Sequence, residues 1–434
     1  MSDNNKFSPD LPPSHPSSEA KRWELSPQIT ATLKDSVLTI SGQGAMPNFN
    51  LKNNDADYPW YFERLLATTV EITDGITGIG NFSFNEFHNL TTVSIPPSVV
   101  RIGKDAFAFC TRLVHVKIPP SVTILENGVF NGCENLVSVE LPPSLTSIGE
   151  SCFCDCTSLA SIKIPETVTT IDDKAFYNCS ALTSVNIPTT ITKIGIYAFC
   201  RCGQLTSVEI PPSIQRIGIA TFLKCSALKS VQLPPQLTSI DIDAFGECSS
   251  LTSIKIPDSV TSIGSGAFSE CTSLASIELP PSIEKLGAFA FGRCLRLVSI
   301  EIPPLVKKLE QCCFMNCMSL TSVKIPDSVT EFGIMVFANC VNLTEIELPQ
   351  TLTTIGYAAF SGCSNLTTIN IPPSAIYFGL RIFHKCPNLR SIKIPGTIRW
   401  FTFYMPFEAG DPNIGPTIMC ENMFSYEINF AEWK

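Results

Sequence analysis

Residues 110–133 read CTRLVHVKIPPSVTILENGVFNGC, and this stretch decides the fold. It runs from Cys110 to Cys133, and its residue order returns every 23 positions. Stepping by 23 from Phe84 lands on Phe107, Phe130, Phe153 and onward to Phe383, fourteen phenylalanines without an insertion or deletion. A fixed period of this kind is the mark of a stacked repeat and has to be read before any local pattern. Other columns keep step. Cys follows each Phe by three residues, from Cys110 to Cys386, with Phe87 in its place in the first unit. Leu follows by six, from Leu90 to Leu389, and Pro occupies one column throughout, from Pro96 to Pro395.

The spacing gives each unit a path. Val93 and Ile95 flank Ser94, so a short strand turns two apolar side chains inward and one polar side chain outward. Pro96 cannot donate to a ladder and ends the strand. Pro97 and Ser98 turn the chain, and Val99 and Ile102 return apolar groups to the interior. Gly103 is expected to support a turn, and Asp105-Ala106-Phe107 to open a compact, helical arc. Phe107 and Cys110 then share an inward face. One unit cannot cover its own apolar side, so stability must come from its neighbours. The expected fold is an α/β repeat solenoid with one parallel sheet face.

The columns L-x-x-V-x-I-P-P-S-V-x-x-I-G-x-x-A-F-x-x-C resemble the BspA-like, Treponema-type leucine-rich repeats. The resemblance covers about residues 64 to 401. The lead-in Val37-Leu38-Thr39-Ile40-Ser41-Gly42 and Tyr58-Pro59-Trp60-Tyr61 is also similar to that family's. Residues 29–33 and 37–40 read as a capping hairpin, followed by a degenerate unit with Val70, Ile72, Ile76, Ile79 and Gly80 in register and Thr73 in the proline column. This divides the chain into a Pro/Ser-rich N-terminus (1–22), a capping region (23–63), the leucine-rich repeat solenoid (64–401) and a C-terminal cap or tail (402–434). The resemblance implies a non-enzymatic, adhesin-like protein at the cell surface that recognises host, matrix or cell-surface proteins or glycans.

Bulk properties narrow the classes. The 434 residues are 44% hydrophobic and only 16% charged, with a net charge of −9. That balance argues against a nucleic-acid partner, which calls for a basic face. No run approaches the roughly 18 apolar residues of a membrane-spanning helix. Residues 1–22 lack the apolar core of a secretory signal, so a cytoplasmic scaffold or effector of the same fold is the alternative. A monomer is expected.

Chemistry is sparse. The 19 cysteines include thirteen in one column. Each sulfur can pair only once, so equivalent thiols on successive rungs cannot form a regular disulfide chain; they read as small buried apolar groups. Cys152 and Cys313 replace the Ala beside Phe. Cys154/Cys156 and Cys200/Cys202 lie two rungs apart, roughly 10 Å, too far to share one zinc ion. No metal or cofactor is expected. His15, His88, His115 and His384 occupy unrelated positions, and none stands beside a Ser or Cys as a base beside a nucleophile. Five Asn-x-Ser/Thr triplets, at Asn81, Asn89, Asn178, Asn342 and Asn365, arise largely from the repeat itself.

The candidate binding residues form the outward strand column: Lys117, Glu140, Lys163, Glu209, Lys255, Glu278, Glu301, Lys324, Glu347 and Lys393. A serine column runs beside it from Ser138 to Ser322. Alternating charge also serves register, because opposite charges on neighbouring strands attract. Without an aromatic stripe, the face suits a flat polar partner, protein or glycan.

Overall fold

The computed structural model describes residues 20–50 and 58–394, together with the backbone of 401–402, 417–418 and 426–429. Each 23-residue turn of the coil makes one rung with three sides. His115–Lys117 is a strand of the first sheet, Ile124–Leu125 a strand of a second sheet, and residues 127–133 form a turning arc. The next rung lies in register 23 residues on: His115 faces Ser138, Val116 faces Val139 and Lys117 faces Glu140. Both sheets are parallel along the array.

The second sheet was not foreseen. Apart from Ile76–Ile79, its strands are two residues long, too short to show as alternation, and only an inward Ile, Leu or Phe marks them. It runs in three stretches. The first reaches Lys193–Ile194, the second spans Arg216–Ile217 to Lys285–Leu286, and the third spans Lys308–Leu309 to Tyr377–Phe378.

The arc is not helical, and no helix occurs among the described residues. Its backbone takes positive φ two residues before and two after most column phenylalanines, as at Asp105 (50°) and Phe109 (59°). An α-helix requires negative φ throughout. The N–H groups divide between two uses. Asp105, Phe107 and Phe109 donate to carbonyls of the next rung at 2.9, 2.9 and 2.6 Å, while Ala106 and Ala108 donate within their own rung to Gly103 and Asp105. A helix would have kept all of these bonds inside one rung. The arc is therefore a third ladder, and its strained dihedrals are held by bonds to the neighbour.

Gly103 opens the expected turn, its carbonyl accepting from the Ala106 N–H at 3.2 Å, but that turn does not use glycine's conformational freedom. The φ of Gly103 is ordinary, but a Cβ there would lie 2.4 Å from Asn81 Oδ1 and 2.7 Å from Asn81 N on the preceding rung. Gly287 would meet Ser265 N at 2.3 Å. The glycine column thus permits close approach of successive backbones.

The core is continuous. The fourteen column phenylalanines are buried and stacked, with successive ring centroids 5.2–5.8 Å apart and nearly parallel planes. Each of the thirteen column thiols donates to the carbonyl of the preceding rung's phenylalanine, as in Cys133 Sγ to Phe107 O at 3.2 Å. Cysteine suits this place because it packs as a small hydrophobe and still brings a weak donor.

The N-terminal end is closed by β1 (Lys21–Ser26), β2 (Ile29–Lys34) and β3 (Val37–Gly42), each antiparallel to the next, with β3 parallel to Thr69–Ile72. Trp60 stacks on Phe84 at 6.0 Å and extends the aromatic column by one ring. Its indole N–H donates to Ser83 O at 3.0 Å, and the Tyr58 hydroxyl donates to Asn85 O at 3.0 Å. At the other end, Tyr426–Asn429 pairs antiparallel with Ser391–Ile394. Most of the expected C-terminal cap, like the Pro/Ser-rich N-terminus up to residue 19 and Cys420, lies outside the described residues.

Candidate functional site

The ten charged residues of the strand column come to one face because each rung repeats the same inward–outward alternation. All ten are exposed, while their flanking Val, Ile and Leu residues turn to the core. Lys117 Nζ lies 3.1 Å from Glu140 Oε2, and Lys324 Nζ lies 2.5 Å from Glu301 Oε1. Lys255 and Glu278 face each other across an isolated bridge. These contacts are solvent-exposed and carry little energy. They set which charges sit side by side more than they hold the fold.

Hydroxyls separate into two groups by position. Those at the corners are engaged: Ser121 donates to Pro97 O, Ser144 to Pro120 O at 2.6 Å, and Thr167 to Leu145 O at 2.7 Å, each on the preceding rung. On the first-sheet face, the serine column from Ser138 to Ser322 is exposed. Of these nine, only Ser138 makes a side-chain hydrogen bond among the described residues, to His115 Nδ1 at 2.7 Å. The rung offset brings these two residues, 23 apart in sequence, side by side. Both are exposed, and no carboxylate among the described residues orients the imidazole, so the pair lacks the constellation of an activated nucleophile.

The thiols are quiet. All 18 described cysteines are free. Burial pushes the thiols of Cys271 and Cys317 up to about 12 and raises Cys110, Cys179 and Cys225 well above the usual range. Cys154 is only half-buried, yet burial and then the adjacent Asp155 carboxylate push it up to about 12. A thiolate is the reactive and metal-binding form, and these surroundings disfavour it. Among the described residues, no group of three or more His, Cys, Asp or Glu side chains is placed to hold a metal ion. No helix of the described residues is long and apolar enough to cross a membrane.

Sequence reasoning missed two cavities on the second sheet. One of about 470 Å³ includes Lys193, Gly195, Arg216 and Gly218. Another of about 850 Å³ includes Gly264, Gly287, Lys285 and Lys308. Both touch Arg216, Ile219 and Asp241. The glycine column, in which Glu126, Asp172, Asp241 and Glu310 replace glycine, passes through both cavities at Asp241.

The fold and its columns agree with known proteins. The BspA type leucine rich repeat region matches residues 60–181, 146–271, 192–320, 238–345 and 285–405. No curated protein matches the sequence. Among solved structures, a leucine-rich repeat protein from Bacteroides ovatus is 29% identical with a TM-score of 0.71, over 85% of this chain and 94% of its own. A leucine-rich repeat protein from Eubacterium ventriosum is 26% identical with a TM-score of 0.50, over 79% of this chain and 95% of its own. With the repeat matched over most of its length, the chain belongs to the BspA-type leucine-rich repeat family.

Proposed function

We propose that the protein is a non-enzymatic, adhesin-like binding protein that recognises a protein or glycan at a cell or matrix surface through the exposed face of its first sheet. The observation that carries this reading is the contrast among hydroxyls. Corner serines and threonines are spent on the preceding rung, whereas the serine column from Ser161 to Ser322 has no side-chain bond within the described fold. Beside it runs a column of exposed Lys and Glu. A long polar array of available donors and acceptors, with charges of both signs, suits a broad polar partner.

The test has two parts. Intact source cells are labelled with a membrane-impermeant reagent, and the purified chain is applied to matrix-protein and glycan arrays. The reading expects labelling, and array binding that the variant Lys117→Glu/Lys255→Glu/Lys324→Glu loses. Protection of the protein while a surface marker is labelled sinks the adhesin reading. It would favour a second one, an intracellular interaction scaffold, which suits a chain whose described cysteines are unpaired.

A further inference from the structure

The second sheet is interrupted at two places, between Lys193–Ile194 and Arg216–Ile217 and between Lys285–Leu286 and Lys308–Leu309. In its outward column these are the two places where basic side chains abut, Lys193 beside Arg216 and Lys285 beside Lys308. Like charges directly opposite one another oppose strand pairing. The hydrogen bonds record the opening. Glu284 and Gly287 donate to Thr261 and Ile263 of the preceding rung at 2.8 Å, and Thr330 and Gly333 donate to Lys307 and Leu309 at 2.9 and 2.7 Å. Between these rungs, the equivalent N–H groups of Lys307 and Glu310 make no such bond. At the other gap, Gly218 has lost the tight approach of its column, and a Cβ there would meet no atom closer than 3.4 Å.

The larger cavity, about 850 Å³, includes the Lys285/Lys308 gap and has the size of an ordinary ligand site. Gly264 and Gly287, both half-buried, contribute bare backbone to its lining. Ile242 and Leu305, 47% and 45% exposed, supply an aliphatic wall. Lys308 is held by Glu310 and Glu331 at 3.3 and 3.8 Å. Lys285 and Lys307 are exposed and have no carboxylate within ion-pair reach among the described residues. Two uncommitted ammonium groups and two uncommitted N–H donors thus converge on one trough, against the single uncommitted carboxylate of Glu284.

We propose that this trough is a second binding site, distinct from the first-sheet face, and that it takes a partner polypeptide segment carrying an acidic side chain flanked by aliphatic residues. The carboxylate would sit between Lys285 and Lys307 and accept from the unpaired backbone. Its charge would offset the repulsion that opens the sheet there. The aliphatic wall and the absence of aromatic side chains from the lining favour a peptide over an acidic polysaccharide.

The test pans a phage library of random peptides against the full chain, then measures the selected peptides on wild type and on Lys285→Glu/Lys307→Glu. Both lysines are exposed, so the variant should fold, and an unchanged melting curve checks this. The proposal expects enrichment of Asp or Glu next to Leu, Ile or Val. It also expects affinity about tenfold weaker in the variant, the loss of about two exposed charge contacts, and slower amide exchange at Glu310 on binding. Lys117→Glu/Lys324→Glu on the first sheet should leave the affinity unchanged. Selected peptides without acidic enrichment, or equal affinity in the double variant, overturn it. So does binding of hyaluronan with no peptide selected. Each of these failures leaves the first-sheet reading untouched, because that reading is measured with other variants.

Discussion

The turning arc and the second sheet are built from the same repeat, yet one is nearly uniform and the other is opened twice. In the arc, Phe and Cys recur rung after rung, their rings stacked and their thiols bonded to the preceding carbonyl. On the second sheet, the outward column changes from Ser239 to Lys285 to Glu331, and the ladder parts where cations meet. The difference follows from enclosure. A side chain packed between two identical neighbours has one shape that fits, and a change disturbs both interfaces. An outward side chain meets only water and its two neighbours, so rungs can differ and openings can be placed.

The largest effect should come from attacking the uniform side through its protons. Thiols raised by burial stay neutral in the fold while the unfolded chain ionises near the ordinary value of 9.0. Stability from these groups is therefore fully present below 9.0 and falls as pH rises toward about 12, the value at Cys271 and Cys317. Each such thiol contributes a slope of about 1.4 kcal/mol per pH unit. Denaturant titrations across this interval should show a steep fall, and a flat profile would mean that the thiols are not enclosed.

Next in size is Phe222→Ala, in the middle of the stacked column. Removing one fully buried ring should cost about 3–5 kcal/mol. Because stability is shared between neighbouring rungs, chemical denaturation should show the loss in rungs on both sides. A cost below about 1 kcal/mol would separate the rings from the core.

The smallest effect is the most discriminating for the second sheet. Gly287→Ala drives a Cβ to 2.3 Å from Ser265 N in a closed part of the ladder and should destabilise by about 1–3 kcal/mol. Gly218→Ala lies at a gap, with its nearest atom at 3.4 Å, and should raise stability by about 0.4–1 kcal/mol through the unfolded chain. Equal effects at both positions would mean that the gap is not open.

Much was legible in the sequence because the repeat forces it. The phase of Phe, Cys, Leu and Pro determined the solenoid, the inward columns and the family, since only stacked neighbours could bury so regular an apolar set. The outward position of Lys117, Glu140 and their equivalents followed from strand alternation, and the capping hairpin at residues 29–33 and 37–40 was read with the lead-in that resembles the family's. Other features needed the coordinates. Phe109 and Lys174 are not residues that announce positive φ, and their dihedrals are held by bonds to another rung, so the arc looked helical. Gly103 serves close approach, which depends on the backbone 23 residues away. His115 and Ser138 meet, and Lys285 and Lys308 repel, only because the coil brings distant positions side by side. The one-dimensional pattern determined what each rung must bury; the stacking of rungs decided which outward groups face each other, and with that where the second sheet opens.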